Sequence, residues 1–407
     1  MGYQPPHTYL ERYADLLINF ALGDGEGIRP GDVVQVTAAE SAKPLYAEVC
    51  RAVWRAGGTV LADYHPDDDH GVNLARDFVE LASEEQLAFT PSDYYRGLVD
   101  QIDHSVHLRS VADPHSLRGV DPQKLLAHQR SRGPLIQWRT EKETAGRFTW
   151  TIALYGTEAM AAEAGMSIEE YWQETIKGCL LDQPDPKASW RAVNAQIGAY
   201  TEALNSLPID RLHVRGQDAD LWITLGEKRR WLGGAGRNIP SFEIFTSPDW
   251  RGTEGWIRFS EPLYRYGSLI TGIELEFHEG LVSRAAAAEN EELLLTMIAT
   301  ENANRVGEFS LTDCRLSCIT RFMADTLFDE NVGGQFGNTH LAVGRSLRPS
   351  YDGDPQKLTS ADWERLGFND SVIHTDIVST TDREVTAVMR DGSRSTIYAE
   401  GRFQLEE

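Results

Sequence analysis

The segment Ser371-Val-Ile-His-Thr-Asp-Ile-Val378 carries a histidine and an aspartate two positions apart in a mostly apolar run. In a strand alternate side chains share a face, so His374 and Asp376 point one way while Ile373, Thr375 and Ile377 point the other. Two ionisable groups on one face of a buried strand must be paired with each other or bound to a metal ion. A structural His–Asp hydrogen bond meets that demand as well as a metal does. Three more segments carry groups of the same chemistry. Phe328-Asp-Glu-Asn-Val-Gly-Gly-Gln-Phe-Gly-Asn-Thr-His-Leu-Ala-Val-Gly344 is a glycine-rich polar loop that delivers His340 onto an apolar run. Asn238-Ile-Pro-Ser-Phe-Glu-Ile-Phe-Thr-Ser-Pro248 sets Glu243 among Phe242, Ile244 and Phe245, a setting hard to explain on a plain surface strand. Gly307-Glu308-Phe309 places a second glutamate directly after a helical segment. Taken singly, His340 also fits a satisfied core histidine, and Glu308 a solvated carboxylate.

The elements that must hold these groups fall into two textures. In the N-terminal half, Tyr9 to Leu22 has helical periodicity, Val33 to Thr37 reads as a strand, Lys43 to Ala56 as a helix, and Thr59 to Tyr64 as the next strand. That β-α-β order implies a parallel pair with a crossover helix. Leu135 to Trp138 and Phe148 to Tyr155 read as further strands, and Ser167 to Leu181 as a long helix. From Arg211 onward short strands dominate: Leu212 to Arg215, Ala219 to Leu225, Phe242 to Thr246, Trp256 to Phe259, Ile270 to Phe277 and Leu281 to Ser283. One helix, Ala285 to about Arg305, buries Leu293, Leu294, Met297 and Ile298, and strands resume at Val372 to Ser379, Glu384 to Met389 and Ser395 to Ala399. The expectation is an α/β domain with a largely parallel sheet over 1–207, followed by a β-rich α+β domain over 208–407 that carries the chemistry.

Composition narrows the partners. The 407 residues hold 39 Lys plus Arg against 62 Asp plus Glu, a net charge of −23. So acidic a surface repels phosphate backbones and anionic lipid, so neither nucleic acid nor membrane is an expected partner. No run approaches the roughly 20 apolar residues that span a bilayer, and the first seven residues lack the basic and apolar regions of a signal peptide. The chain therefore reads as soluble and cytoplasmic. Cys50, Cys179, Cys314 and Cys318 form no zinc-knuckle spacing and read as reduced thiols. His278-Glu279 does not complete H-E-x-x-H, since position 282 is valine. The glycines at 23, 25, 27 and 31 precede a strand, whereas those of a dinucleotide fingerprint follow one. His65-Pro-Asp-Asp-Asp-His70 is dense in ligand types, but adjacent carboxylates cannot all converge on one ion, so it reads as a solvated loop.

In combination, the four chemical segments resemble the aminopeptidase T and aminopeptidase S family, peptidase family M29. Its motifs run N-x-P-x-x-E-V-F-T-x-P, G-E, L-F-D-E-N…H-[IL]-A-x-G and N-[DE]-S-x-x-H-x-D. Asn238 to Pro248, Gly307-Glu308, Leu327 to Gly344 and Asn369 to Asp376 match them in order. Arg12 to Leu17 and Gly31 to Val34 resemble the family's opening, so the likeness covers nearly the whole chain. The resemblance implies metal ligands at Glu243, Glu308, His340, His374 and Asp376, with Glu308 and Glu243 also serving catalysis. Five nitrogen and oxygen ligands without thiolate suit two divalent ions (zinc, cobalt or manganese) that activate a water between them. It further implies a homodimer that releases N-terminal residues from short peptides. The chain departs from the family at one point. A tyrosine common seven residues after the loop histidine is Leu347 here, and Tyr351, four residues further on, is the candidate replacement.

Two other functions fit parts of this pattern. A relative of the fold, 2,5-dihydroxypyridine dioxygenase, uses two histidines and one carboxylate on iron, and His340, His374 and Asp376 could supply such a triad. A mononuclear site does not need Glu243 and Glu308, however. A peptide-binding protein that kept the fold without catalysis is the third reading, favoured by Leu347.

Overall fold

The computed structural model describes residues 3–67, 71–233 and 237–405. Asp68, Asp69 and His70 of the acidic loop, and residues 234–236 of the glycine-rich turn, lie outside them. The chain divides into two compact units, Met1–Trp190 with Ala235–Ser241 and Tyr266–Ser268, and Arg191–Gly234 with Phe242–Arg265 and Leu269–Glu407. Among the described residues no helix is long and apolar enough to cross a membrane.

The first unit is built on a parallel sheet of β1 (Val33–Ala39), β2 (Thr59–His65), β3 (His104–Arg109) and β4 (Thr149–Leu154), in the order β2-β1-β3-β4. Val34, Val36, Val106, Leu108, Ala153 and Leu154 are buried in its core. The helix Lys43–Arg55 connects β1 to β2 and buries Leu45, Val49 and Val53, which recur every four residues and so share one face. Gly57 ends it at φ +83°, a left-handed conformation that favours glycine.

The strands that follow are β5 (Ile209–Gly216), β6 (Ala219–Thr224), β7 (Leu232–Gly233), β8 (Glu243–Thr246), β9 (Asp249–Arg258), β10 (Leu263–Arg265), β11 (Ser268–Ile270), β12 (Glu274–His278), β13 (Leu281–Ala286), β14 (Val306–Thr312), β15 (Asn338–Gly344), β16 (His374–Ser379), β17 (Arg383–Met389), β18 (Arg394–Ala399) and β19 (Arg402–Phe403). In the second unit, eight make an antiparallel sheet, β13-β12-β9-β6-β5-β17-β18-β19. Its strands alternate, with Leu212, Val214, Leu221, Ile223, Leu275, Val385 and Ala387 turned into the core. Five more form the antiparallel sheet β16-β15-β14-β8-β7. Every residue of β14 and of β15 is buried, so this sheet is covered on both faces.

Some elements differ from the sequence reading. Leu135 to Trp138 is not a strand but part of the helix Gly133–Thr144, which starts with Pro134 in its first turn and buries none of its residues. A short apolar run has no decisive period, and proline at a helix start tips it. The helix expected over Ala285–Arg305 is reduced to Glu291–Ile298, because Leu281–Ala286 pairs with β12 as β13. Its alanines favour helix intrinsically, but the cross-strand ladder overrides that preference. Asn290 and Asn302, both at φ +57°, bracket the remainder. The single strand expected over Ile270–Phe277 is broken near Gly272 (φ +62°) into β11 and β12.

Candidate metal centre

Register in the five-stranded sheet decides which side chains meet. β14 pairs β15 with Glu308 opposite Ala342 and Ser310 opposite His340, and β15 pairs β16 with Ala342 opposite Asp376 and Gly344 opposite His374. On the other side of β14, Thr312 lies opposite Glu243 of β8. Directly opposed residues, and those two apart on one strand, share a face. Glu243, Glu308, His340, His374 and Asp376 therefore all project from one face across four strands. The opposite face is apolar, with Phe309, Leu311, Leu341 and Ile377 each no more than 1% exposed.

The five side chains converge. His340 Nε2 lies 3.3 Å from Glu308 Oε1 and 3.4 Å from Glu243 Oε2. His374 Nε2 lies 3.4 Å from Glu308 Oε2 and 3.3 Å from Asp376 Oδ1. Two sets of potential ligands result, Glu243-Glu308-His340 and Glu308-His374-Asp376, each with its ligand atoms within 4.8 Å of one another. They share Glu308, whose two oxygens face different histidines. Ligands about 2.0–2.1 Å from a tetrahedral ion stand about 3.3–3.4 Å from each other, which is the spacing seen here. The donor set therefore fits divalent ions held without sulfur.

Small residues leave room between the ligands. Ala342 stands between Glu308 and Asp376 in one row, and Gly344 faces His374. Gly344 is also at φ +102°, where a Cβ would come 2.1 Å from the Ile373 carbonyl oxygen. Gly307 sits at a bulge in β14, and a Cβ there would come 2.4 Å from the Arg345 carbonyl oxygen. The Gly-Glu pair thus places Glu308 where any residue with a side chain at 307 would push the strands apart.

Neighbouring polar groups orient the ligands. His374 Nδ1 donates to the Arg345 carbonyl at 2.7 Å, which in the neutral ring turns the Nε2 lone pair toward the carboxylates. Arg265 Nη2 donates to the His374 carbonyl and to Thr375 Oγ1 at 2.8 and 2.9 Å. Ser310 Oγ donates to Glu243 Oε2 at 3.4 Å. Asn331 Oδ1 accepts from the Phe242 amide at 2.6 Å and so holds the start of β8.

With only protons to balance it, the cluster is electrostatically strained. Burial, then the charge on Glu308, pushes the Glu243 carboxyl up to about 7. Burial alone would lower His340, but its hydrogen bond to Glu308 and the charges of Glu243 and Asp376 raise it to about 9. Burial likewise opposes His374, and the Asp376 charge and hydrogen bonds to Asp376 and Glu308 lift it to about 10. Asp376 resists its own burial through the charge and hydrogen bond of His374, which hold it well below the usual carboxylate range. Buried carboxylates that force both histidines to take protons form a site that attracts cations.

The structure brings together all five proposed ligands and leaves Tyr351 out. The Tyr351 ring packs edge-on against Trp363 and Phe368, in a buried cluster with Leu366. Among the described residues its hydroxyl makes no hydrogen bond to any of the five. Burial of a large ring among other rings explains its placement. Leu347, at the position of the family tyrosine, is half-buried and donates its amide to Ser247 Oγ at 2.7 Å. His65, the last residue of β2, forms an exposed pair with Asp63 of the same strand at 2.9 Å.

Sequence reasoning missed Glu330. It is buried, and its carboxyl is pushed well above the usual range by burial and by the charges of Glu243, Asp376 and Glu308. It stands inside the Leu327-Phe-Asp-Glu-Asn331 motif, where three consecutive polar residues, at the end of a short helix (Thr326–Asp329), at its cap and just beyond, were a usable signal. Arg265 and Ser310 gave no signal beyond residue type.

Comparison with known proteins follows the same line. A family model described as thermophilic metalloprotease (M29) matches residues 7–403. Aminopeptidase T of Thermus thermophilus is 29% identical over 415 aligned positions, covering 97% of this chain and 98% of the relative. The solved structure of wild-type AmpT from Thermus thermophilus aligns with a TM-score of 0.82 at 26% identity, covering 98% of this chain and 99% of that one. The structure of 2,5-dihydroxypyridine dioxygenase from Pseudomonas putida KT2440 gives a TM-score of 0.51 at 14% identity over 98% and 97% of the two chains, a likeness of fold alone.

Proposed function

The chain belongs to the thermophilic metalloprotease family M29 and is a metallo-aminopeptidase, and on that premise we propose that it releases N-terminal residues from short peptides at a two-ion centre. One observation carries the two-ion reading: Glu308 is common to two ligand sets, with one oxygen toward His340 and the other toward His374. When bound, two divalent ions supply Lewis-acid polarisation of a carbonyl and a water of lowered pKa.

The chain's own residues do the rest. Glu243 and His340 hold one side of the centre, His374 and Asp376 the other, and Glu308 ties them together. The free α-amine of a peptide would offer one ion a lone pair that the nitrogen of an internal or N-acylated amide lacks, because there the pair is delocalised into the carbonyl. That difference favours exopeptidase action. Short peptides as substrates and a homodimer as the working form belong to the same reading, carried by family resemblance. A single iron on His340, His374 and Asp376 would leave Glu243 and Glu308 as extra buried carboxylates, which argues against dioxygenase chemistry.

Elemental analysis combined with turnover of aminoacyl-anilides tests the proposal. The expected result is two divalent ions per chain and cleavage of free but not N-acetylated substrates. One ion per chain, with iron as that ion, would overturn the two-ion reading. Equal turnover of blocked and free substrates would overturn exopeptidase specificity.

A further inference from the structure

The 29 residues between β15 and β16, 345–373, join the two histidine-bearing strands, and one buried asparagine closes that connection at its base. Asn369, 3% exposed, donates Nδ2 to the Gly344 carbonyl at 2.6 Å and to the Asn302 carbonyl at 2.7 Å. Its Oδ1 accepts from Arg305 Nη1 at 3.3 Å, so both ends of the side-chain amide are engaged. Its backbone amide donates to Ser346 Oγ at 2.9 Å, and its carbonyl accepts from the Ser346 amide at 2.9 Å. Ser346 is 4% exposed. These bonds fall on residues 344 and 346, the two neighbours of Arg345. The Arg345 amide in turn donates to the Ile373 carbonyl at 2.6 Å. With the backbone tied down on both sides of it, the Arg345 carbonyl accepts from His374 Nδ1 at 2.7 Å.

We propose that Asn369, with Ser346, is a positioning residue that sets the ring orientation and tautomer of His374, and thereby the affinity of one of the two ions. The effect is one-sided. His374 belongs to the Glu308-His374-Asp376 set alone, and among the described residues no hydrogen bond joins Asn369 or Ser346 to Glu243, Glu308 or His340. The inference rests on the two-ion reading above. A partner that fixes the non-ligating nitrogen of a metal-bound histidine is typically worth about 10–100-fold in metal affinity. Asparagine suits the task because it offers two donors and an acceptor on one short side chain. Aspartate keeps the shape but has no donor for the Gly344 and Asn302 carbonyls.

Stepwise Zn²⁺ binding to the full-length chain, measured by competition with a chromophoric chelator, tests this without reference to turnover. Asn369→Ala and Asn369→Asp should weaken one Zn²⁺ by about 10–100-fold and leave the other as in wild type. Ser346→Ala, which keeps both backbone groups, should give a smaller loss at the same ion. His374→Ala identifies which step that is. Folding is monitored by circular dichroism of the metal-free chains, and if the Asn369 variants do not fold, Ser346→Ala carries the test. Two wild-type steps in the variants, or equal weakening of both, would overturn the clasp. If the wild-type chain itself binds a single ion, the two-ion reading fails separately, and the clasp stands only if Asn369→Ala still weakens that ion.

Discussion

Glu308 turns its two carboxylate oxygens toward different histidines, with Oε1 3.3 Å from His340 and Oε2 3.4 Å from His374. Replacing it with glutamine keeps the volume but removes the charge and one acceptor oxygen. Glu308→Gln should therefore lose both ions and reduce kcat by at least the 10²–10⁴-fold typical of one general base. Metal content and anilide turnover of the same preparation check this, and a mutant that keeps two ions would deny the bridging position. The opposite outcome is expected at Tyr351. Its ring serves the aromatic cluster with Trp363 and Phe368, so Tyr351→Phe should leave kcat and metal content near wild type. Tyr351→Ala should instead cost about 3–5 kcal/mol of stability, as loss of a buried aromatic side chain usually does. A large fall in kcat for Tyr351→Phe would return the hydroxyl to the chemistry. The sequence placed Tyr351 four residues beyond Leu347 but said nothing of the rings around it, because spacing along a loop does not reveal direction.

At the scale of the element, the centre is a property of register. Adjacent strands lie about 4.8 Å apart, so Glu308 and Asp376 start about 10 Å from each other across β15. Their side chains can lean together only because the residue between them is Ala342. Ala342→Leu should keep the sheet, since leucine suits a strand interior, while its side chain occupies the space between the carboxylates. The expected result is loss of bound metal with a stability cost of about 1–3 kcal/mol from overpacking. Retention of both ions, seen by elemental analysis, would show that they bind elsewhere. Much of this was legible in the sequence. Alternation in Val372–Ser379 put His374 and Asp376 on one face, and β8 and β15 fall where apolar runs carried Glu243 and His340, whereas β14, which carries Glu308, lies where the sequence reads only as the end of a helical segment. What alternation cannot give is which strand neighbours which, because pairing depends on contacts distant in sequence. Hence the row Glu308–Ala342–Asp376, and the need for a small residue at its middle, emerged only from the folded sheet. The misread helices have a related cause. Ala285 to Ala288 is an alanine run whose local preference yields where Ala285 and Ala286 join a ladder with β12.

Across the whole molecule, protons and metal ions compete for one buried cluster within a chain of net charge −23. Without metal, Glu243 titrates at about 7, His340 at about 9 and His374 at about 10, all above their ordinary values of 4.5 and 6.5. A group whose pKa is raised by folding stabilises the fold most below its unfolded value, and that contribution is lost as pH climbs through the folded value. The Glu243 contribution therefore fades between about 4.5 and 7, and those of the histidines between about 6.5 and 10. Asp376 has the reverse sign, since its pKa is depressed. Its contribution is present above the usual carboxylate value and is lost only in acid, below this window. From pH 6 to about 7 the metal-free cluster thus loses the last of the Glu243 contribution, and from about 6.5 to pH 9 it loses that of the histidines. Over the same interval the ligands shed the protons that compete with a cation, so metal affinity rises. Self-repulsion of the surface grows in both forms and largely cancels in their difference. The gap in Tm between protein with saturating Zn²⁺ and protein in chelator should therefore widen steadily from pH 6 to pH 9. Calorimetry at unit pH steps, with the ionic strength held constant, measures that gap directly. A gap that stays constant or narrows would mean that the raised groups do not release protons to the metal, and that the ligand set lies outside this cluster.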